Sequence, residues 1–367
     1  MPQRNWLSKM LLLPCSKIYG AAMAVRNQMF EWNILKQTEF DVPIITVGNL
    51  AVGGTGKTPL VEHIAGYFYR TRRVAVVSRG YRRQTKGFVL AGKNTTPRDI
   101  GDESYQIYMK FGGSVTVAVC EDRVQGIRKL LEIEPSIDLI LLDDAFQHRY
   151  VKPAVSILVS EYNRPYYQDK MLPYGRLRES AAGVYRADIV VVTKCPPNLK
   201  PIDYRDAKYY SKLQPWQQLF FSHFVYEPLK PVFDDVATAV PIMEWLTPDD
   251  SVLAVAGIGN PRPFVKHIKS FSAKVKVDIF QDHHQFTRRD LEHIHERYKS
   301  MKGSRRLIVT TEKDAVRLAS NPYYPPELRA VTFYLPVSID FDYPFSEPQF
   351  DSALEKTLRD ALRQRNQ

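Results

Sequence analysis

IITVGNLAVGGTGKTPLVEHIAGYF, Ile44 to Phe68, is the stretch that decides the fold. An apolar run feeds a glycine-rich turn, then Gly56-Lys57-Thr58, then a helical pattern, which is the strand–loop–helix context a phosphate-binding loop requires. Glycines at 53, 54 and 56 let successive backbone N–H groups point at phosphate oxygens without side chains in the way. In this reading residues Ala51, Val52, Gly53, Gly54, Thr55, Gly56, Lys57 and Thr58 cradle a nucleoside triphosphate, and Lys57 bridges its β- and γ-phosphates. Thr58 offers its hydroxyl to Mg²⁺, and the helix N-terminus adds its dipole. The usual spacing has Gly at position 51; this chain has Ala51, a small-residue departure.

Such a loop needs an acidic partner for the metal at the end of a neighbouring apolar strand. IDLILLDDAFQHR, Ile137 to Arg149, supplies Asp143 and Asp144 at that place, with Gln147 positioned to complete the shell. Adjacent residues on a strand point to opposite faces, so either Asp143 or Asp144 faces the metal directly.

Further out, short β-rich runs recur at 43–47, 74–78, 115–119, 138–142, 155–160 and 188–193, most of them separated by helix-length stretches. This alternation predicts βαβ units and a doubly wound, mainly parallel α/β sheet. Residues 196–248 turn rich in Pro and aromatics, after which strands resume at 251–256, 276–280, 306–310 and 331–335 with helices between, including 288–299. The expected organisation is an amphipathic helical segment over 1–36, a P-loop domain over 37–225, a linker over 226–245, and a smaller α/β domain over 246–367 closed by a helix at 350–365.

The 367 residues are 44% hydrophobic and 25% charged, which excludes disorder and coiled coil as the main state. Three scattered cysteines give neither a disulfide framework nor a zinc site and point to a reducing, cytosolic setting. The net charge of +11 favours anionic partners, but there is no nucleic-acid-binding module to direct it to nucleic acid. No apolar run approaches the roughly 18 residues of a membrane span. The N-terminal stretch 5–36 instead reads as a helix broken at Pro14. Trp6, Leu7, Leu11 and Leu12 are placed for the acyl boundary of a membrane, and Lys9, Lys17 and Arg26 for anionic headgroups. A helix pair packed on the main domain is the other reading of that segment.

Residues also separate the classes of P-loop protein. A GTPase would carry an acidic guanine reader where this chain has Thr193-Lys194-Cys195-Pro196, and a ParA-like ATPase would carry Lys where it has Val52. A small-molecule kinase remains. It needs a group that activates the acceptor, and Asp102 with Glu103 before one helix, or Asp282, His283 and His284 after a later strand, are the candidates.

Together VGNLAVGGTGKTP (47–59), SRGYRR (78–83), GDE (101–103), DDAFQHR (143–149), LPYGRLRE (172–179), AGIGNPRPF (256–264), DHHQF (282–286) and TTEKDAVRL (310–318) resemble the tetraacyldisaccharide 4′-kinase family of lipid A biosynthesis. The resemblance implies transfer of the ATP γ-phosphoryl group to the 4′-hydroxyl of an acylated glucosamine disaccharide 1-phosphate, giving lipid IVA. It places the protein peripherally at the cytoplasmic face of a Gram-negative inner membrane, with the N-terminal segment as a monotopic anchor. It implies Asp102 as the base and His283 as its partner, with His284 the alternative. Arg79, Arg82, Arg176 and Arg178 are the cations expected near anionic substrate groups. Ala145 stands where the family pattern has Gly, which should restrict the turn at the metal site, and Tyr174 and Arg176 depart from LPAGPLRE. The competing reading is a membrane-associated P-loop ATPase switch without kinase activity.

Overall fold

The computed structural model describes residues 6–236, 239–271, 273–341 and 349–365. Its strands are β1 Ile44–Gly48, β2 Val74–Ser78, β3 Val89–Leu90, β4 Thr116–Val119, β5 Leu139–Asp143, β6 Val155–Glu161, β7 Ile189–Thr193, β8 Gln218–Phe221, β9 His223–Tyr226, β10 Lys230–Pro231, β11 Ser251–Ala256, β12 Lys274–Ile279, β13 Arg306–Thr311, β14 Thr332–Leu335 and β15 Val337–Asp340. The helices are α1 Trp6–Glu31, α2 Lys57–Phe68, α3 Pro97–Ile100, α4 Asp102–Phe111, α5 Arg123–Ile133, α6 Pro201–Ser211, α7 Arg262–Ile268, α8 Arg288–Lys299, α9 Glu312–Ala319, α10 Pro326–Arg329 and α11 Phe350–Arg365.

An eight-stranded sheet in the order β3-β4-β2-β5-β1-β6-β7-β8 is parallel except for the short β3 edge. Its inner strands are buried on both faces, so they read as continuous Val, Ile and Leu runs. From β1 the chain passes over β5 to β2, while β6, β7 and β8 extend the opposite way. The reversal puts a crevice outside the carboxyl end of β1, where ligands of doubly wound sheets bind. Val47 of β1 is in register with Asp143 of β5, which sets the phosphate loop beside the acidic pair.

A second, five-stranded sheet in the order β10-β14-β13-β11-β12 forms the smaller α/β layer. The connection differs from the expected linker over 226–245. Lys230–Pro231 already pairs with β14, and Leu229, Val232 and Phe233 are buried in second-domain cores. The link is made by β9 and β15, an antiparallel pair with Tyr226 opposite Val337. The closing helix also changes domain. Phe350, Ala353, Leu354 and Leu358 of α11 pack with Ile45, Ile157 and Phe220 of the first sheet, and Phe350 stacks on Phe341 at 4.1 Å. Once β15 has carried the chain back, the uncovered apolar face it meets is that of the large sheet.

The N-terminal helix is continuous across Pro14, which removes one backbone bond at an exposed position without ending α1. Its docked stripe is largely polar. Ser16 donates to the Met171 carbonyl at 3.0 Å, Tyr19 to the Arg178 carbonyl at 2.8 Å and Asn27 to Glu179 at 2.9 Å. Arg26 was expected to meet lipid; instead it donates to the Gln147 carbonyl at 3.2 Å and lies over the Phe30 and Tyr150 rings. The opposite stripe is apolar and open, with Leu11, Ile18 and Val25 exposed at 70%, 72% and 61%. Leu12 is half-buried, Lys17 is exposed, and the side chains of Trp6, Leu7 and Lys9 fall outside those described. Among the described residues no helix is long and apolar enough to cross a membrane.

Candidate active site

The phosphate loop turns on two left-handed glycines, Gly53 at φ 113° and Gly56 at φ 88°. A Cβ at Gly56 would stand 3.2 Å from the Phe224 ring and 3.3 Å from the Thr193 hydroxyl, so glycine is needed there for space as well as conformation. Neighbours hold the loop in shape. Asn49 donates to the Thr55 hydroxyl at 2.8 Å, Thr193 donates to the Thr55 carbonyl at 2.6 Å, and Lys194 donates to the Gly54 carbonyl. Ala51 and Val52, expected in the cradle, brace it instead: Ala51 bridges to Leu177, and the Val52 N–H donates to the Arg176 carbonyl at 2.8 Å. From Gly53 to Thr58 the loop runs into the first-turn N–H groups of α2, which have no helical acceptors and are candidates to receive a phosphate.

Asp143 and Asp144 occupy different settings. Asp144 takes up φ 49° and accepts from Arg178 at 3.0 Å, with Lys57 Nζ 3.5 Å away. Burial raises its carboxyl, but Lys57 and Arg178 hold it below the usual carboxylate range. Asp143 is buried, and its Oδ1 has no hydrogen-bond partner. Burial and the Glu103 charge push it up to about 7. The left-handed residue of this turn is Asp144, so Ala145, buried in the core, costs the turn nothing and the expected restriction is absent. Gln147, expected in a metal shell, is engaged by protein groups here. Its Nε2 donates to the Asn49 carbonyl at 2.7 Å and to Glu179 at 2.9 Å, and its Oε1 accepts from Arg178 at 3.2 Å.

Across the site, α9 of the second layer lies on α4 of the first. Arg317 Nε donates to Asp102 at 2.8 Å, Lys313 donates to Glu103, and Lys110 stands 2.6 Å from Glu62 and 3.6 Å from Glu312. Asp102 and Glu103 open α4, where the helix dipole favours acids. Burial alone would raise Asp102, but His283 and the Arg317 guanidinium keep it below the usual range. Lys313 does the same for Glu103, aided by Lys57.

His283 is brought to Asp102, with Nδ1 3.6 Å from its carboxylate, and sits at φ 58° with its N–H donating to the Gly257 carbonyl. His284 is turned away to Asp290 at 2.9 Å. Arg317 lies between the pair, 3.2 Å from His283 Nδ1, and is fixed from behind by Asp314 at 2.7 Å. Asp314, fully buried, also accepts from the Gly257 N–H and the Thr311 hydroxyl. The functional candidates that sequence reasoning missed are Arg317, Asp314 and Lys313. Their signal was the motif TTEKDAVRL: Asp314 and Arg317 pair within α9, and Arg317 and Lys313 reach Asp102 and Glu103 only when α9 meets α4.

The four arginines separate. Arg176 pairs with Asp169 at 3.2 Å beside Gly53, and Arg178 is bound to Asp144, both on the phosphate-loop side. Arg82 lines a cavity between the two layers together with Asp102 and His283. Arg79 is exposed near Arg123 and His148 and does not line that cavity.

A phosphate loop, an acidic pair beside it and an aspartate of the first domain met by a histidine and an arginine from the second define a kinase of the P-loop class. Residues 8–359 match the family model described as tetraacyldisaccharide-1-P 4′-kinase. The chain belongs to that family. It is 48% identical over 337 residues to the tetraacyldisaccharide 4′-kinase of Bacteroides thetaiotaomicron, covering 90% of this chain and 88% of the relative. The Parabacteroides distasonis enzyme is 44% identical, covering 95% and 94%. The crystal structure of LpxK from Aquifex aeolicus in complex with ATP superposes with a TM-score of 0.72 at 25% identity, covering 95% of this chain and 98% of that one.

Proposed function

We propose that the protein transfers the γ-phosphoryl group of ATP to the 4′-hydroxyl of tetraacyldisaccharide 1-phosphate, forming lipid IVA. The observation that carries this is the start of α4. Glu103 feels Lys57 and Asp143 on the nucleotide side, while the preceding Asp102 lines the cavity that opens between the layers. One helix terminus thus sets donor and acceptor chemistry next to each other.

The donor set fits a magnesium nucleotide. The orphaned Oδ1 of buried Asp143 and the buried hydroxyl of Thr58 would hold the metal, while Asp144 is engaged by Lys57 and Arg178. Mg²⁺ held there would supply positive charge against the phosphates of the loose transition state. Lys57 and the loop amides orient the phosphates. Asp102, ionised, accepts the hydroxyl proton, and His283 and Arg317 fix its carboxylate.

The exposed Leu11, Ile18 and Val25 stripe of α1, with Lys17 beside it, seats the protein on the cytoplasmic face of the inner membrane as a peripheral protein. A four-chain acceptor does not leave the bilayer cheaply, at roughly 0.8 kcal/mol per buried CH₂. The test is ³²P transfer from ATP with Mg²⁺ and detergent-dispersed acceptor, comparing wild type with Lys57→Ala. Transfer lost in the variant is the expected result. ATP hydrolysis without transfer by the wild type would favour the switch reading.

A further inference from the structure

The cavity between the layers has a volume of about 640 Å³, within the ~300–1,000 Å³ usual for small-ligand sites. Its charged lining is uneven. Asp102, His283 and Arg317 form one cluster, and Arg82, Arg98 and Arg288 are the remaining cations. Arg317 is already bound to Asp102 and Asp314. Arg288 uses Nε on Glu292 at 3.0 Å. Among the described residues Arg82 and Arg98 have no acidic partner; Arg82 only lies over the neighbouring Tyr81 ring.

The main chain that carries these exposed arginines is constrained. Arg82 adopts φ 63°, and His283 across the cavity adopts φ 58°. Non-glycine residues persist in the left-handed region where the surroundings over-determine them, and such positions cluster at ligand sites. The surroundings here are tight. A Cβ on Gly101 would come within 2.7 Å of the Tyr81 carbonyl, so the segment carrying Arg82 is pressed against the residue preceding Asp102. Arg98 lies on α3, directly before that glycine, and the carbonyl of Arg98 accepts from the Gln84 N–H at 2.7 Å. The main chain at both positions is therefore set relative to Asp102, and from it two exposed guanidinium groups extend over the cavity.

We infer that Arg82 and Arg98, assisted by Arg288, bind the 1-phosphate of the acceptor and so choose which sugar meets Asp102. This deepens the kinase reading and rests on it. The acceptor carries two similar glucosamine units, and its phosphate lies on only one. An ionised Asp102 repels that phosphate, and unpaired guanidinium groups in the same cavity attract it. Anchoring the phosphate away from Asp102 leaves the hydroxyl of the other sugar at the base. The nucleotide's own phosphates are served elsewhere, by Lys57 and the loop amides, while Arg176 and Arg178 are already paired with Asp169 and Asp144.

The test compares two acceptors, tetraacyldisaccharide 1-phosphate and the same molecule without the 1-phosphate, in micelles of uncharged detergent. Wild type, Arg82→Gln/Arg98→Gln and Arg289→Gln are each assayed with both. Arg289 is exposed and lies outside the cavity lining, so its variant controls for loss of surface charge. Wild type is expected to prefer the phosphorylated acceptor in kcat/KM. The double variant should lose on the order of 10- to 100-fold per arginine on that acceptor, little on the other, and nothing in KM for ATP. Arg289→Gln should keep the wild-type preference. A double variant that still prefers the phosphorylated acceptor, a wild type with no preference, or an equal loss in Arg289→Gln each overturns the subsite while transfer itself stands. A wild type that phosphorylates neither acceptor overturns the kinase reading, and the subsite with it.

Discussion

Arg317 on α9 joins Asp102 to His283: its guanidinium lies 2.8 Å from the carboxylate and 3.2 Å from Nδ1 of the imidazole, while those two groups are 3.6 Å apart. A guanidinium only donates, so it bonds the Asp102 carboxylate outright and competes with it for Nδ1 of the ring. The coupling between base and histidine thus runs through a cation from the second domain.

Removing that cation has a signed consequence. Asp102 acts as a base when ionised, and its carboxyl is held low by His283 and Arg317 against the opposing effect of burial. In Arg317→Gln the acid limb of kcat/KM against pH moves to higher pH, and kcat falls, while KM for ATP stays near wild type. The depressed carboxyl also contributes stability that is present above its unfolded value and lost as pH falls through the folded one. Arg317→Gln should therefore narrow the difference in Tm between pH 6 and pH 3. A limb that does not move would show that Arg317 is merely structural.

Asp102 and His283 sit on different layers yet share Arg317, so their losses should not add. Asp102→Ala alone should lower kcat by about 10²- to 10⁴-fold with little change in ATP binding. His283→Ala should cost less, and the double variant should cost scarcely more than Asp102→Ala. Full additivity in the cycle would contradict a working unit.

The sheet, the phosphate loop and the acidic pair were legible because each is local: a buried strand, a glycine turn and a helix start lie within 25 consecutive residues. Strand limits at 74–78 and 251–256 and the helix at 288–299 coincide with the apolar periodicity that predicted them. What was not legible is relational. Nothing in Phe350 to Arg365 says which sheet its apolar face will meet, because either sheet offers an apolar surface. Arg317 and Lys313 find Asp102 and Glu103 only once α9 lies on α4. Pro14 read as a break because its local cost is clear, while the bonds from Ser16, Tyr19 and Asn27 that dock the continuous α1 are long-range.

The two layers also meet at Lys110, whose ammonium lies between buried Glu62 and Glu312. Burial pushes Glu62 up to about 7, with Lys110 opposing and Glu312 reinforcing the shift. Lys110→Met leaves two acids without their cation and should destabilise the fold by about 3–5 kcal/mol at pH 8. The raised carboxyl of Glu62 means that the folded state takes up a proton as pH falls through about 7, so the penalty should shrink by pH 5. Denaturant melts at the two pH values decide it; an equal loss at both would show that Glu62 is not the group that responds.

The outward stripe of α1 makes the membrane reading separable from the fold. Leu11, Ile18 and Val25 are 70%, 72% and 61% exposed, so replacing all three with Glu removes apolar surface without opening the core. Tm should change little, since each such surface change is usually worth within about ±0.5 kcal/mol. Each side chain withdrawn from the acyl boundary forfeits up to about 1.5–3 kcal/mol of burial, and each Glu adds repulsion from anionic lipid. Flotation with vesicles containing anionic phospholipid should therefore pull down the wild type and leave the triple variant behind. Transfer to the acceptor in detergent should survive, because the contacts α1 makes to the loop bracing the phosphate site come from Ser16, Tyr19 and Asn27 on its other side. A triple variant that still floats would mean that α1 is not the anchor.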